Sequence, residues 1–487
     1  MGIHDKKKRV ILLLIDSLMD RPLQKAVKEG LAPAFQFFME HGQYFSNIVS
    51  PFPTMSVNVD SSLLTGTYDH KLPGLVWFNH HEKRLINYGS HWRELMKLGL
   101  SQSINDILYH LNNDHLSQEV RTIHEELADC GKATASINAL MYRGKAEHYL
   151  KLPKLVTLFL SLNNNRTVHG TSLFTYGAFS QISPLMRHNH FWQKYGFNNK
   201  FTVQELKHLI QTDSLPVFTI AYFPDMDQSV HKNGPMDIKG IQQADLQIKK
   251  ILDAYGSWDD ALKDHIWIVL GDNGQAPIEA ERTRALIDLR KSLHSYRIMK
   301  LKEGVKNSDQ IVLGVNERMA FIYSLDSTRV PLSSIAKTLQ QDERIDVIAW
   351  RESESVHVTS GVKDGELIFR PNGEYVDKYQ QSWSVTGNKE ILDLSIHNND
   401  ILYDEYPDAL ARLYSALTSH EGSYVVVSAK PGFEFIGEGS PTHVGGASHG
   451  GLHKQDSLVP MIVTGANSSP KDLRMIDLKD WILTLIN

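Results

Sequence analysis

Short apolar, β-branched runs alternate with stretches of helical period through the first 275 residues of the chain. Val10 to Ile15, Tyr44 to Val49, Ala133 to Ile137, Pro216 to Tyr222 and His265 to Leu270 read as strands, because apolar runs of this length suit a sheet covered on both faces. Helices are expected over Pro33 to His41 and Ile238 to Tyr255, each ahead of a glycine, Gly42 and Gly256, suited to a left-handed helix end. Strand and helix in alternation are βα units, so the expected fold class is α/β: a three-layer sandwich with a central, mostly parallel sheet.

The pattern changes beyond residue 300. Met319 to Leu325 and Asp346 to Arg351 read as strands, and Lys363-Asp364-Gly365 and Pro371-Asn372-Gly373 read as hairpin turns. A helix over Pro407 to Leu417 and a strand over Tyr424 to Ser428 follow, before a last βα unit, Leu458 to Thr464 plus Leu473 to Ile486. The division expected is a metal-binding core over residues 1–300, an inserted α+β cap over 301–435, and a return of the core over 436–487. The insert leaves after the strand before Asp272 and returns before His449, so it is expected to cover the ligand-binding edge of the sheet.

Composition narrows the function classes. The 487 residues are 41% apolar and 22% charged, an ordinary globular balance. A net charge of −5, with no basic run beyond Lys6 to Arg9, disfavours nucleic acid as a partner. One cysteine, Cys130, excludes an intrachain disulfide and a cysteine-based zinc site, leaving Asp, His, Asn or hydroxyl groups for any metal. The apolar run Val10 to Ile15 ends at Asp16 and suits a strand better than a signal peptide, and no stretch approaches the ~18 apolar residues of a membrane span. A soluble, cytoplasmic protein without a membrane partner is expected.

Three carboxylates fall at corresponding places: Asp16, Asp227 and Asp272 each lie just beyond an expected strand. Carboxyl ends of strands in an open parallel sheet converge on one edge, where ligands bind. Each such Asp alone is more often a turn or helix cap, but three together favour a site. His231 lies four residues after Asp227, and His449 sits in the glycine-rich Ser448-His449-Gly450-Gly451. One Asp with two His is a sensible donor set for zinc or manganese. With 23 histidines in the chain, His80, His81, His188, His190 and His453 are read as bystanders. Thr54, after Phe52-Pro53, precedes an expected helix over Met55 to Leu64, where a hydroxyl sits either beside a phosphate or as an ordinary N-cap.

Taken in order, VILLLIDS, FPTMSVNVDSSLLTG, YFPDMDQSVHKNGP, IVLGDNG and ASHGGLH resemble the alkaline phosphatase superfamily, nearest to its type I phosphodiesterase/nucleotide pyrophosphatase branch, across residues 10–465. The resemblance implies Asp16, Thr54, Asp272 and Asn273 at one metal and Asp227, His231 and His449 at the other, with Thr54 the nucleophile. It implies a two-metal phosphoester hydrolase working through a phosphothreonine intermediate on a small phosphorylated substrate. Two positions depart from the family pattern. Val230 replaces the Gly of Asp-x-x-Gly-His, and Asn273 replaces the His of Asp-His-Gly. Sulfatases carry Asp-Asn at the latter place and bind calcium, so sulfatase-like or phosphonate hydrolysis, a phosphomutase and a non-catalytic binding member are the alternatives. Two divalent ions are expected, zinc and/or manganese, with magnesium or calcium admissible at the Asp16/Asp272/Asn273 site, whose donors are all oxygen.

Overall fold

A computed structural model describes residues 8–89, 92–152 and 165–487; the first residues of the basic run Lys6 to Arg9 lie outside them. A seven-stranded sheet forms the centre, in the order Gly42–Val49, Leu458–Thr464, His265–Gly271, Arg9–Ile15, Phe218–Phe223, Thr134–Ile137 and Leu173–Thr175. The five strands from His265–Gly271 to Leu173–Thr175 are parallel, and Leu458–Thr464 runs antiparallel to both its neighbours.

Strand Arg9–Ile15 shows why its apolar run is unbroken. Val10, Leu12 and Leu14 face a core shared with helix Ser56–Thr65 and the C-terminal helix Leu478–Ile486, while Ile11, Leu13 and Ile15 face a second core under helices Asp20–Lys28, Pro33–Glu40 and Ile238–Leu252. Alternate residues point to opposite faces, so both must be apolar when both faces are covered. On helix Ile238–Leu252, Ile241, Ala244, Ile248 and Ile251 supply the buried stripe at helical spacing. The three-layer α/β sandwich is as expected.

The glycines following two helices work differently from expectation. Helix Pro33–Glu40 ends at His41, and Gly42 opens the next strand because a Cβ there would lie 2.2 Å from the Val463 carbonyl oxygen. Helix Ile238–Leu252 stops before Gly256, whose φ is not left-handed. Close backbone approach, invisible along the chain, selects the first of these glycines.

A nine-stranded, largely antiparallel sheet is drawn from residues between Ile311 and Ala429, with apolar clusters on both faces. Strands Ser355–Thr359 and Leu367–Asp377 pair as a hairpin around Lys363-Asp364-Gly365. Pro371-Asn372-Gly373, expected to turn, instead lies inside strand Leu367–Asp377, where Pro371 and Tyr375 both pair with Trp383. Asn372, at φ 62°, absorbs the extra residues as a bulge. Among the described residues no helix is long and apolar enough to cross a membrane.

Asp245, buried on helix Ile238–Leu252, accepts the backbone N–H groups of Ala34 and Phe35 at 2.8 and 2.9 Å. Burial outweighs those bonds and pushes its carboxyl up to about 6. A raised folded-state value means the stability contribution is full below the unfolded value, near ~3.9, and is lost as pH rises through about 6. Asp245→Asn should therefore raise the melting temperature above about pH 7 relative to the parent chain, with the difference vanishing near about pH 4; melts across that range check it.

Candidate active site

Each acidic candidate emerges where a parallel strand ends. Asp16 follows strand Arg9–Ile15, and Asp272 and Asn273 follow the adjacent strand His265–Gly271. Asp227 and His231 lie on helix Asp225–Asn233, just after strand Phe218–Phe223, so their i,i+4 spacing puts both on one face. Strand order 265–271, 9–15, 218–223 makes the three ends neighbours.

His231 Nε2 lies 3.0 Å from Asp227 Oδ1, and its Nδ1 donates to the Ala447 carbonyl at 2.8 Å. His449 Nδ1 donates to the Thr54 carbonyl at 2.7 Å, leaving Nε2 toward Asp227 Oδ1 at 3.7 Å. Both rings thus turn their second nitrogen to the same carboxylate, as metal-binding imidazoles do when the other nitrogen is held by a hydrogen bond. Two glycines permit it. A Cβ on Gly446 would lie 1.9 Å from the His231 carbonyl oxygen, and Gly450, at φ 104°, packs where a Cβ would meet Asn316 O at 2.6 Å.

The second group is deeper. Asp272 and Asn273 are fully buried and Asp16 nearly so. Ser17 joins the two groups: its Oγ lies 3.3 Å from Asp16 Oδ1, 3.1 Å from Asp227 Oδ1 and 3.2 Å from Asn273 Oδ1. A hydroxyl has one proton for these three acceptors. Asp272 Oδ2 and Gln275 Oε1 are buried with no protein partner among the described residues. Burial, then Asp272 and Asp227, raise the Asp16 carboxyl well above the usual range, and burial with Asp227 lifts Asp272 to about 6. Tyr222, whose hydroxyl donates to Asp16 Oδ2, gives some relief. Unpaired oxygens and crowded carboxylates are what a divalent cation would satisfy, so this donor set fits the expected ions.

Near the histidines the electrostatics reverse. Burial opposes charge on Asp227, yet His231 and His449 hold its carboxyl below the usual range. Burial likewise opposes a charged His231, but Asp227 and Glu317 outweigh it and push the imidazole up to about 10. Without an ion, the imidazolium supplies the positive charge.

A family model, type I phosphodiesterase / nucleotide pyrophosphatase, matches residues 10–450. The chain belongs to that family. Its place in the alkaline phosphatase superfamily follows, and its chemistry is phosphoester hydrolysis, in a family that is generally metal-dependent. Human ectonucleotide pyrophosphatase / phosphodiesterase 5 has the same fold, at 13% identity and a TM-score of 0.58 over 99% of this chain and 95% of that one. Phosphonoacetate hydrolase from Sinorhizobium meliloti 1021, solved with phosphonoformate, gives 15% identity and 0.56 over 99% and 96%. Murine ectonucleotide pyrophosphatase / phosphodiesterase 5, as an inactive threonine-to-alanine variant with AMP, gives 11% and 0.56 over 99% and 95%. No curated protein sequence matches the chain significantly.

Within this phosphodiesterase fold, Thr54 is fully buried, and its hydroxyl accepts the Gly450 N–H at 2.8 Å. It makes no hydrogen bond with Asp16, Asp272 or Asn273 among the described residues. The helix expected to start beside it starts two residues later, at Ser56, which is half-buried. Asp60 sits one turn on, on the same face, and its charge acts on both Asp16 and Asp272. The segment therefore runs from Thr54, touching His449, to Asp60, beside the acidic group, with Ser56 between.

Several residues escaped the sequence reading. Ser17 sits at φ 60°, Gln275 donates to Asp227 Oδ1 and Ser17 Oγ, both at 2.8 Å, and Glu317 and His443 join the histidine cluster. Only Ser17 and Gln275 carried a signal, their adjacency to Asp16 and to Asp272-Asn273-Gly274. The bystander histidines stay outside: His81 pairs with Glu421, and His453 with Glu405. Val230, where the family motif has glycine, is a core residue of its helix.

Proposed function

We propose that the chain is a two-metal phosphoester hydrolase that acts on a small phosphorylated substrate through a covalent phosphoenzyme. The observation that carries this reading is the convergence of two donor groups, Asp16/Asp272/Asn273 and Asp227/His231/His449, linked through Ser17, with Thr54 bonded to His449 and Gly450. Asp227, His231 and His449 would hold one ion, and Asp16, Asp272 and Asn273 the other. When bound, such ions lower the pKa of a coordinated hydroxyl and screen phosphoryl charge.

The chain's own groups do the rest. Backbone N–H groups at the start of helix Ser56–Thr65 have no intrahelical acceptors and favour a phosphoryl group there. The hydroxyl oxygen, its proton passing to solvent, attacks phosphorus in line while the bond to the ester oxygen breaks opposite; water then attacks from the vacated side, the bond between phosphorus and the enzyme oxygen breaks, and the phosphoryl product leaves. Two inversions give retention at phosphorus. The resemblance makes Thr54 the nucleophile, and its hydroxyl, which accepts the Gly450 N–H, keeps its own proton and a second lone pair for chemistry. His449, whose Nδ1 donates to the Thr54 carbonyl, would position it.

Phosphonate hydrolysis is the second reading, favoured by the oxygen-only donor set that Asn273 creates. Incubating the chain and manganese with p-nitrophenyl phosphate, bis-p-nitrophenyl phosphate and phosphonoacetate tests both. Nitrophenolate release from either ester supports the first reading, and phosphate release from phosphonoacetate alone supports the second. No turnover of any of the three overturns both.

A further inference from the structure

Glu317 stands in the turn between strands Ile311–Asn316 and Met319–Ser324, in the nine-stranded sheet, yet it reaches the histidines of the central one. Its Oε1 lies 3.9 Å from His231 Nε2 and its Oε2 3.9 Å from His449 Nε2. These are the two nitrogens that face Asp227 Oδ1, at 3.0 and 3.7 Å. A tetrahedral ion with bonds of about 2.0–2.2 Å holds its ligand atoms about 3.3–3.6 Å apart, so each carboxylate lies near that separation from both imidazole nitrogens.

The turn is built to hold that carboxylate. Glu317 adopts φ 56°, a conformation glycine takes at lower cost. Ser448 Oγ donates to its Oε2 at 2.7 Å, and the next residue, Arg318, donates its N–H to the His449 carbonyl at 3.0 Å. Glu317 is therefore fastened to the very loop that carries His449. His443 also lies near, its ring stacked on His231 at 4.0 Å, but its Nδ1 is engaged by Glu434 at 2.9 Å. His231 has one nitrogen to offer an ion, since Nδ1 is bound to Ala447, so the groupings Asp227/His231/His449 and His231/Glu317/His443 describe one ion position and not two.

We propose that Glu317 is a fourth protein ligand of the ion held by Asp227, His231 and His449, supplied by the sheet of residues 311–429. The inference rests on the metal reading of that site. Two carboxylates and two imidazoles neutralise a divalent ion and fill a tetrahedron, so substrate or water must enter as a fifth ligand. Manganese accepts that expansion more readily than a closed zinc site.

Titration of the metal-free chain with manganese, following free Mn(II) by electron paramagnetic resonance, tests this together with visible spectra of the cobalt-loaded protein. Glu317→Gln, nearly isosteric, should weaken binding at the tighter site by about 10- to 100-fold or more and change the cobalt bands. If that variant does not fold, Glu317→Asp, which keeps the charge but shortens the reach, should show the same direction. Asp227→Asn is the reference. If Asp227→Asn weakens binding while the Glu317 variants bind with parental affinity and an unchanged spectrum, Glu317 is not a ligand. If Asp227→Asn also changes nothing, the metal reading of the site falls with it.

Discussion

Thr54→Ala should lower turnover of a nitrophenyl ester by about 10³-fold or more, the scale seen when a covalent nucleophile is removed. It also takes the acceptor of the Gly450 N–H from a fully buried position, costing about 1–3 kcal/mol of stability. Thr54→Ser keeps both the hydroxyl and the acceptor and should retain measurable activity. Steady-state rates and thermal melts on the two variants separate the chemical role from the structural one. A folded Thr54→Ala with parental turnover would rule out Thr54 as the nucleophile.

Removing metal with a chelator should abolish activity, and manganese should restore it better than zinc alone. The reason is the asymmetry of the two donor sets. Asp227, His231 and His449 include two imidazoles, whereas Asp16, Asp272 and Asn273 offer oxygen only. Losing an imidazole makes the second site harder, which favours manganese, magnesium or calcium over zinc. Asn273→His restores the nitrogen donor of the family motif and should move the preferred ion toward zinc. The reconstituted rate with each ion, in parent and variant, measures the shift. Full recovery with zinc alone, unchanged in Asn273→His, would mean that Asn273 does not ligate.

The strand ends bearing Asp16, Asp227 and Asp272 were legible in the chain, because an apolar run that stops at a carboxylate marks both a buried strand and its exit at the ligand edge. The pairing of Asp227 with His231 was legible for the same local reason, four residues on a helix being one turn. Pro371-Asn372-Gly373 was not, because bulge and turn use the same residues and only the pairing of the flanking strands distinguishes them. Nor was the hydrogen bond from the Gly450 N–H to the Thr54 hydroxyl, because 396 residues separate the two.

The sequence by itself determined the doubly covered central sheet, through the period of its apolar positions, and the family, through the order of its motifs, whose resemblance implied the two donor groups. Tertiary structure alone decided that the Thr54 hydroxyl meets the Gly450 N–H, why Gly42 and Gly446 are glycine, and that Glu317 meets His231 and His449. Those outcomes depend on close approach between segments far apart in sequence, and no local pattern encodes a distance between two chains of residues that meet only when both sheets are packed.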